Sequence, residues 1–263
     1  MSAARKQEGF TLLELLLAML VFLLVAGAAF RLLGVSQKRY QTDSQLLTSF
    51  QDARLAMDQM TRDINDSGYV PPNHFSVLPA ATLYAATPFA WGPGYPNAPC
   101  VVGAGGCTNG FDLIIESAID PLDPVVKWVR YQLPAPGPPN VLPNVLLRGV
   151  VPKVAGGDPV AATAAFMVPY LQNVMNNGTP AQIAAINAAY PGTFPGGNPA
   201  PIFTYTTFDA PDGAGCTNVA SSPCNIRDVE ITLIVQAPSL DAQTGQLRLV
   251  ELHGRGHRIN PNN

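Results

Sequence analysis

Glu14 is the one charge in the 21 residues from Phe10 to Phe30. A carboxylate inside a membrane-length apolar segment costs roughly 3 kcal/mol unless it finds a partner. Glu14 lies four residues after Phe10, one helical turn away on the same face. Cleavage after Gly9 would leave a new amine on Phe10. On a neighbouring chain, that amine would place the opposite charge at the same depth. The alternative is a Glu14 that snorkels to the membrane surface.

Four cysteines form the next candidate chemistry, spaced as Cys100–Cys107 and Cys216–Cys224 in loops rich in Gly, Pro and Asn. Three disulfide connectivities exist. Local pairing closes the smallest loops, and each bridge would stabilise by roughly 2–3 kcal/mol in an oxidising compartment. A four-cysteine metal site is the rival, against which stands the wider spacing than zinc sites favour. Free thiols are the third reading. His253-Gly-Arg-Gly-His257 reads as a solvated tail after a strand, because no helix or catalytic Glu accompanies the two histidines. Asp120/Asp123 and Asp209/Asp212 lack the full ligand set of a calcium loop and read as acidic turns. Gly103-Ala-Gly-Gly106 lacks the Lys-Ser/Thr and following helix of a phosphate loop. No G-x-S-x-G, H-E-x-x-H or other catalytic constellation is present. The sequence therefore predicts no enzyme activity, no metal and no cofactor.

The elements that carry these residues are unlike one another. The chain has 263 residues, 23 Gly, 26 Pro, a charged fraction of 13% and a net charge of −3. So much Pro and Gly disfavours a large helical bundle, and the 47% hydrophobic content disfavours disorder. A pI near 5.5 argues against nucleic-acid binding through bulk charge. Yet no Pro occurs between Phe10 and Gly68. Residues 10–30 span about 31 Å as a helix, the thickness of a bilayer core. Arg5 and Lys6 precede them and Arg31, Lys38 and Arg39 follow, so flanking charge leaves the orientation open. Beyond Arg31, apolar residues recur at Leu46, Phe50, Ala53, Met57, Met60 and Ile64, in steps of three and four. That is one face of a helix, predicted to pack on the rest of the chain. A single helix from about Phe10 to Asp66 follows, with Gly68 beyond its end and Pro71–Pro72 preventing resumption.

After Val70 the sequence turns to short, often alternating runs: 111–116, 125–133, 145–151, 202–208, 229–236 and 247–252. Thr179-Pro180 starts a short helix as N-cap and N1. The stretches 71–110 and 191–225 read as long surface loops. The expected fold is α+β, one long N-terminal helix packed on an antiparallel sheet head with long loops.

A secretory signal peptide with Ala26-Gly27-Ala28 as cleavage site is the plain alternative for the N-terminus, as is a single membrane anchor. Glu14 interrupts what should be an apolar core of a signal, and the helical pattern runs on to Ile64. The residues Lys6-Gln-Glu-Gly9-Phe10-Thr-Leu-Leu-Glu14 resemble the N-terminal motif of type IV prepilins and type II secretion pseudopilins. The resemblance implies cleavage by prepilin peptidase after Gly9, methylation of Phe10, and Glu14 as the carboxylate that registers subunits. It implies a leader at 1–9, a transmembrane and filament-core half-helix at 10–30, an amphipathic half at 31–68 and a β-rich head at 69–263.

Residues 51–69, with Arg54, Ala56, Asp58, Arg62 and Asp63 before Gly68-Tyr69, resemble the helix end of PilW-type minor pilins. Pairing along the helix (Arg54–Asp58, Asp58–Arg62, Arg62–Asp66) is a simpler reading of the same residues. The absence of a helix-bending Pro and the large head favour a minor subunit. The implied function is a minor type IV pilin in pilus initiation or a tip complex. The alternatives are a J-like minor pseudopilin of type II secretion and a membrane-anchored extracytoplasmic binding protein. The implied partners are other pilins through the N-terminal helix, prepilin peptidase, the inner membrane before assembly and a tip adhesin, with no nucleic acid. The implied location is the inner membrane with an extracytoplasmic head, then the cell surface.

Overall fold

The structure is a computed structural model that describes residues 11–68, 76–77, 79–97, 100–104, 107–118, 122–137, 144–209, 220–241 and 245–259. Helix α1 runs unbroken from Leu12 to Asn65, about 80 Å at ~1.5 Å per residue. Thr11 caps its start and Asp66 its end, where the Asp66 N–H donates to the Arg62 and Ile64 carbonyls. Gly68 follows at φ 76°, a left-handed turn that glycine adopts without strain. Every large apolar side chain from Leu12 to Val35 is exposed, whereas Ala53, Ala56, Met57, Met60 and Ile64 are buried. The fold is α+β, with this helix lying on antiparallel sheets.

The head builds two sheets where the sequence pattern suggested one. Strands β1 (Phe89–Ala90), β2 (Asp112–Ser117), β3 (Lys127–Gln132), β4 (Leu146–Pro152) and β5 (Val168–Leu171) form the first, in that order. Strands β6 (Phe203–Phe208), β7 (Ile226–Gln236) and β8 (Leu249–His257) form the second. All pairings are antiparallel. Helix α2 (Pro159–Ala164) precedes β5, and α3 (Pro180–Ala189) follows it with Thr179 as N-cap and Pro180 first. Strands β1 and β5 and helix α2 escape sequence reading because two to six residues carry too little periodicity.

Alternation along β2 and β3 sends apolar side chains to both faces. Leu113, Ile115, Val129, Tyr131 and Leu133 join α1 and the inner residues of β7 in the main core. Ile114 and Trp128 point the other way and meet Trp91, Tyr95, Cys100 and Cys107. The segment expected as a surface loop is thus partly a lid over that second face, with Trp91 only 2% exposed. A two-sided apolar sheet needs covers on both sides, and the uncharged, aromatic 84–97 segment supplies one. Likewise Phe194, inside the other expected loop, is buried with Ile183 and Ile186 of α3 against Ile234 of β7.

Residues 253–257 are not a solvated tail. They complete β8, paired with β7 from Asp228↔His257 to Gln236↔Leu249. Glycine has low strand propensity, so His-Gly-Arg-Gly-His hides a strand that its neighbours and its pairing enforce.

Candidate functional site

Glu14 occupies the third position of α1. Its Oε2 accepts from the Thr11 N–H and hydroxyl, both at 3.1 Å, while Thr11 Oγ1 accepts from the Glu14 N–H at 3.3 Å. This reciprocal capping box fixes the carboxylate near the helix start, where the positive end of the backbone dipole favours it. Gly9 and Phe10 lie outside the described residues.

The seam between α1 and the head is built from glycines and side-chain clamps. On the inner face of β8, a Cβ at Gly254 would stand 2.5 Å from Met57 Sδ, and one at Gly256 would stand 2.5 Å from Ile64 Cγ2. At Gly256 only hydrogen fits against the branched Ile64, whereas at Gly254 the flexible Met57 side chain would have to give way. At the helix end, Asn65 Oδ1 accepts the His257 N–H at 2.8 Å and the Asn65 carbonyl accepts the Ile259 N–H at 3.2 Å. The first sheet is tied to the same turn. Ser117 Oγ donates to the Asp66 carbonyl and the Gly68 N–H to the Glu116 carbonyl, each at 2.9 Å.

Asp63, 5% exposed, reaches across to β3 and β4. Its Oδ2 accepts from Tyr131 Oη at 2.7 Å and Arg148 Nη2 at 3.0 Å, and Oδ1 from Gln59 Nε2 at 2.6 Å. Burial, reinforced by the Asp63 charge, pushes the Tyr131 phenol up, so it remains a donor. The pairs Arg54–Asp58, Asp58–Arg62 and Arg62–Asp66 are not formed among the described residues; the ion pair of this stretch is Asp63–Arg148.

Of the apolar stripe, Ala53, Met57, Met60 and Ile64 sit in the core, while Leu46 and Phe50 are half-buried. Above them helix and head separate around a groove of about 470 Å³, lined by Ser44, Thr48 and Asp52 on one side and Tyr170, Asn173 and Pro238 on the other. Beyond the groove, Arg248 pairs with Asp43 at 2.8 Å and Ser239 hydrogen-bonds Gln45.

Cys100 and Cys107 form a disulfide, the local pairing that the spacing favoured. Cys224 is also disulfide-bonded, and Cys216 lies outside the described residues. Glu116 and Lys153 form a buried pair at 2.9 Å. Glu116 also accepts from Trp128 Nε1 at 2.8 Å and the Ala86 N–H at 2.6 Å, which ties the lid to the sheet. Asp123 pairs with Lys127, and Asp209 with Arg227 and Arg258; Asp120 and Asp212 lie outside the described residues. His257 Nδ1 meets Asp228 Oδ1 at 2.7 Å. Among the described residues no group of three or more His, Cys, Asp or Glu could hold a metal.

The family model of the prokaryotic N-terminal methylation motif matches residues 4–30. The motif indicates a type IV prepilin-like protein. Such proteins, pilins and pseudopilins, are structural subunits. Among the described residues one helix has a segment long and apolar enough to cross a membrane, which with the motif points to an inner-membrane anchor before assembly. No curated protein and no solved structure matches the chain. The motif covers the apolar half of α1; Asp63, Asn65, Gly254 and Gly256 join the other half to the head, a role that the sequence did not assign to them. The signal for the glycines was there, since Gly254 and Gly256 continue the spacing of Val250 and Leu252.

Proposed function

We propose that this chain is a minor type IV pilin of the PilW type, acting in pilus initiation or a tip complex. Prepilin peptidase removes residues 1–9 after Gly9 and the Phe10 amine is methylated. Residues 10–30 lie in the inner membrane and later in the filament core, and residues 69–263 form the extracytoplasmic head. The observation that supports this most is the division of α1. Its first half is exposed among the described residues, while its last turns are clamped into both sheets. An all-round apolar surface of that length needs lipid or other helices as its solvent. Glu14, held by Thr11, retains lone pairs for the Phe10 amine of a neighbouring subunit. The work is assembly by helix burial, with other pilins and a tip adhesin as partners.

Mass spectrometry of the processed protein tests the reading. It should find a chain beginning at N-methylated Phe10, and a chain beginning at Ala29 would refute it. Glu14→Ala should be processed yet enter filaments poorly. Deleting the gene should abolish surface pili; a loss of protein secretion with pili intact would assign the chain to a type II secretion pseudopilus instead.

A further inference from the structure

The stretch of α1 between its apolar half and the head is bare. Residues 31–41 are exposed apart from a half-buried Gly34, and the head reaches the helix at Asp43, through Arg248. Three cations stand on this stretch, Arg31, Lys38 and Arg39, with no acidic residue before Asp43. None of the three makes an ion pair among the described residues. Asp43, one turn beyond Arg39, is held by Arg248 at 2.8 Å. Arg31 and Lys38 are two turns apart and share one face of the helix, with Arg39 beside it. Gly34 lies between them on that face, and a Cβ there would meet nothing within 4 Å. Glycine weakens a helix interior, and no contact among the described residues requires it here. The gap it leaves is open to a group from outside the chain.

Position along the helix selects that group. With Phe30 at the edge of the hydrocarbon, Arg31 enters the headgroup layer and Lys38 and Arg39 stand about 12–14 Å beyond Phe30. The headgroup layer is about 5–7 Å deep on each side of a bilayer, and long basic side chains reach back toward it. Protein carboxylates are poorly placed to compete. The exposed, unpaired Asp52 and Asp58 of α1 stand about 20 Å or more farther from the membrane in any second copy held at the same depth. We infer that Arg31, Lys38 and Arg39 bind the phosphodiester headgroup of an anionic lipid, with Gly34 admitting it close to the helix backbone. The contact sets the depth at which the unassembled subunit waits, and assembly must exchange it. The inference rests on residues 10–30 lying in the membrane.

Full-length protein is reconstituted in nanodiscs of an equal mixture of phosphatidylglycerol and phosphatidylcholine and released into a nonionic detergent. Native mass spectrometry then counts the lipids it retains. Phosphatidylglycerol should be retained in preference. Each cation near the surface is worth about fivefold, so Arg39→Gln should lower the preference by that factor. Replacing Arg31, Lys38 and Arg39 together by Gln should abolish it. Gly34→Leu favours the helix, fills the gap and should also lower retention. Replacing Arg54 and Arg62 by Gln, two exposed cations of the same helix beyond the headgroup layer, should change nothing. Equal retention of the two lipids overturns the inference. So does a preference that survives the triple variant or Gly34→Leu, or one that falls as far when Arg54 and Arg62 are replaced. A triple variant that keeps the lipid preference but fails to enter filaments would assign the cations to a helix–helix contact instead. The N-terminus of the processed chain is measured separately, so failure here leaves the pilin reading standing.

Discussion

Replacing Gly256 by alanine sets a methyl carbon 2.5 Å from Ile64 Cγ2 and 2.7 Å from Ile64 Cβ. Carbon atoms pack best at about 3.5–4.0 Å, so more than an ångström of overlap must be relieved. Ile64 is fully buried and branched at Cβ, and rotating χ1 leaves Cβ where it was. Helix and strand must therefore part. Overpacking of this kind costs about 1–3 kcal/mol, or roughly 2–10 °C of melting temperature for a head of this size. Gly254→Ala is the internal control. Its new methyl meets Met57 Sδ at 2.5 Å, the far part of a flexible side chain, and should cost under about 1 kcal/mol. Chemical denaturation followed by tryptophan fluorescence measures both variants. Adding Ile64→Ala to Gly256→Ala should cost less than the two single changes together, because Cγ2 is gone. Rescue stays partial, since the alanine Cβ still stands 2.7 Å away. Equal losses at Gly254 and Gly256, or strict additivity with Ile64→Ala, would refute the seam described above.

Asp63→Ala should destabilise by about 3 kcal/mol, because Arg148 and Tyr131 lose a shared acceptor in a mostly buried site; Tyr131→Phe, which removes one hydrogen bond, should cost about 1 kcal/mol in the same melts. Burial would raise the Asp228 carboxyl, but hydrogen bonds from His257, Arg255 and Thr207 outweigh it and hold the pKa at about 2. A lowered folded-state pKa stabilises above the ordinary carboxylate range and is lost as pH falls from about 4 to 2. The wild type should therefore lose more stability over that window than Asp228→Asn. Removing the Cys100–Cys107 bridge by a double Ser substitution should cost about 2–3 kcal/mol for so short a loop, and non-reducing peptide mapping should recover the linked peptides from the wild type.

The long helix was legible because its signals are redundant: no Pro for more than fifty residues, an apolar run, then a stripe ending at Gly68. The runs 111–116, 125–133, 145–151 and 202–208 matched strands to within two residues at either end, whereas 229–236 missed the first three residues of β7 and 247–252 the last five of β8. Asp63 was visible as a residue type but not as a clamp, because Tyr131 and Arg148 reach it only once β3 and β4 lie under the helix. The 84–97 lid was misread because Pro and Gly usually mark solvent-exposed turns. Here they shape a segment whose Trp91 and Tyr95 face inward. Gly254 and Gly256 misled for a related reason, since the residue that best admits a close helix is also the one that looks least like a strand.

The clamps at the end of α1 have a mechanical consequence. Asn65 grips β8, Asp66 and Gly68 grip β2, and Asp63 grips β3 and β4. A pull along the helix axis from the N-terminal side would load these bonds together with the buried Met57–Ile64 contacts, in shear rather than one after another. The head would then resist tension as a unit, and the first part to yield would be the polar stretch beside Ser44 and Thr48, where helix and head already stand apart.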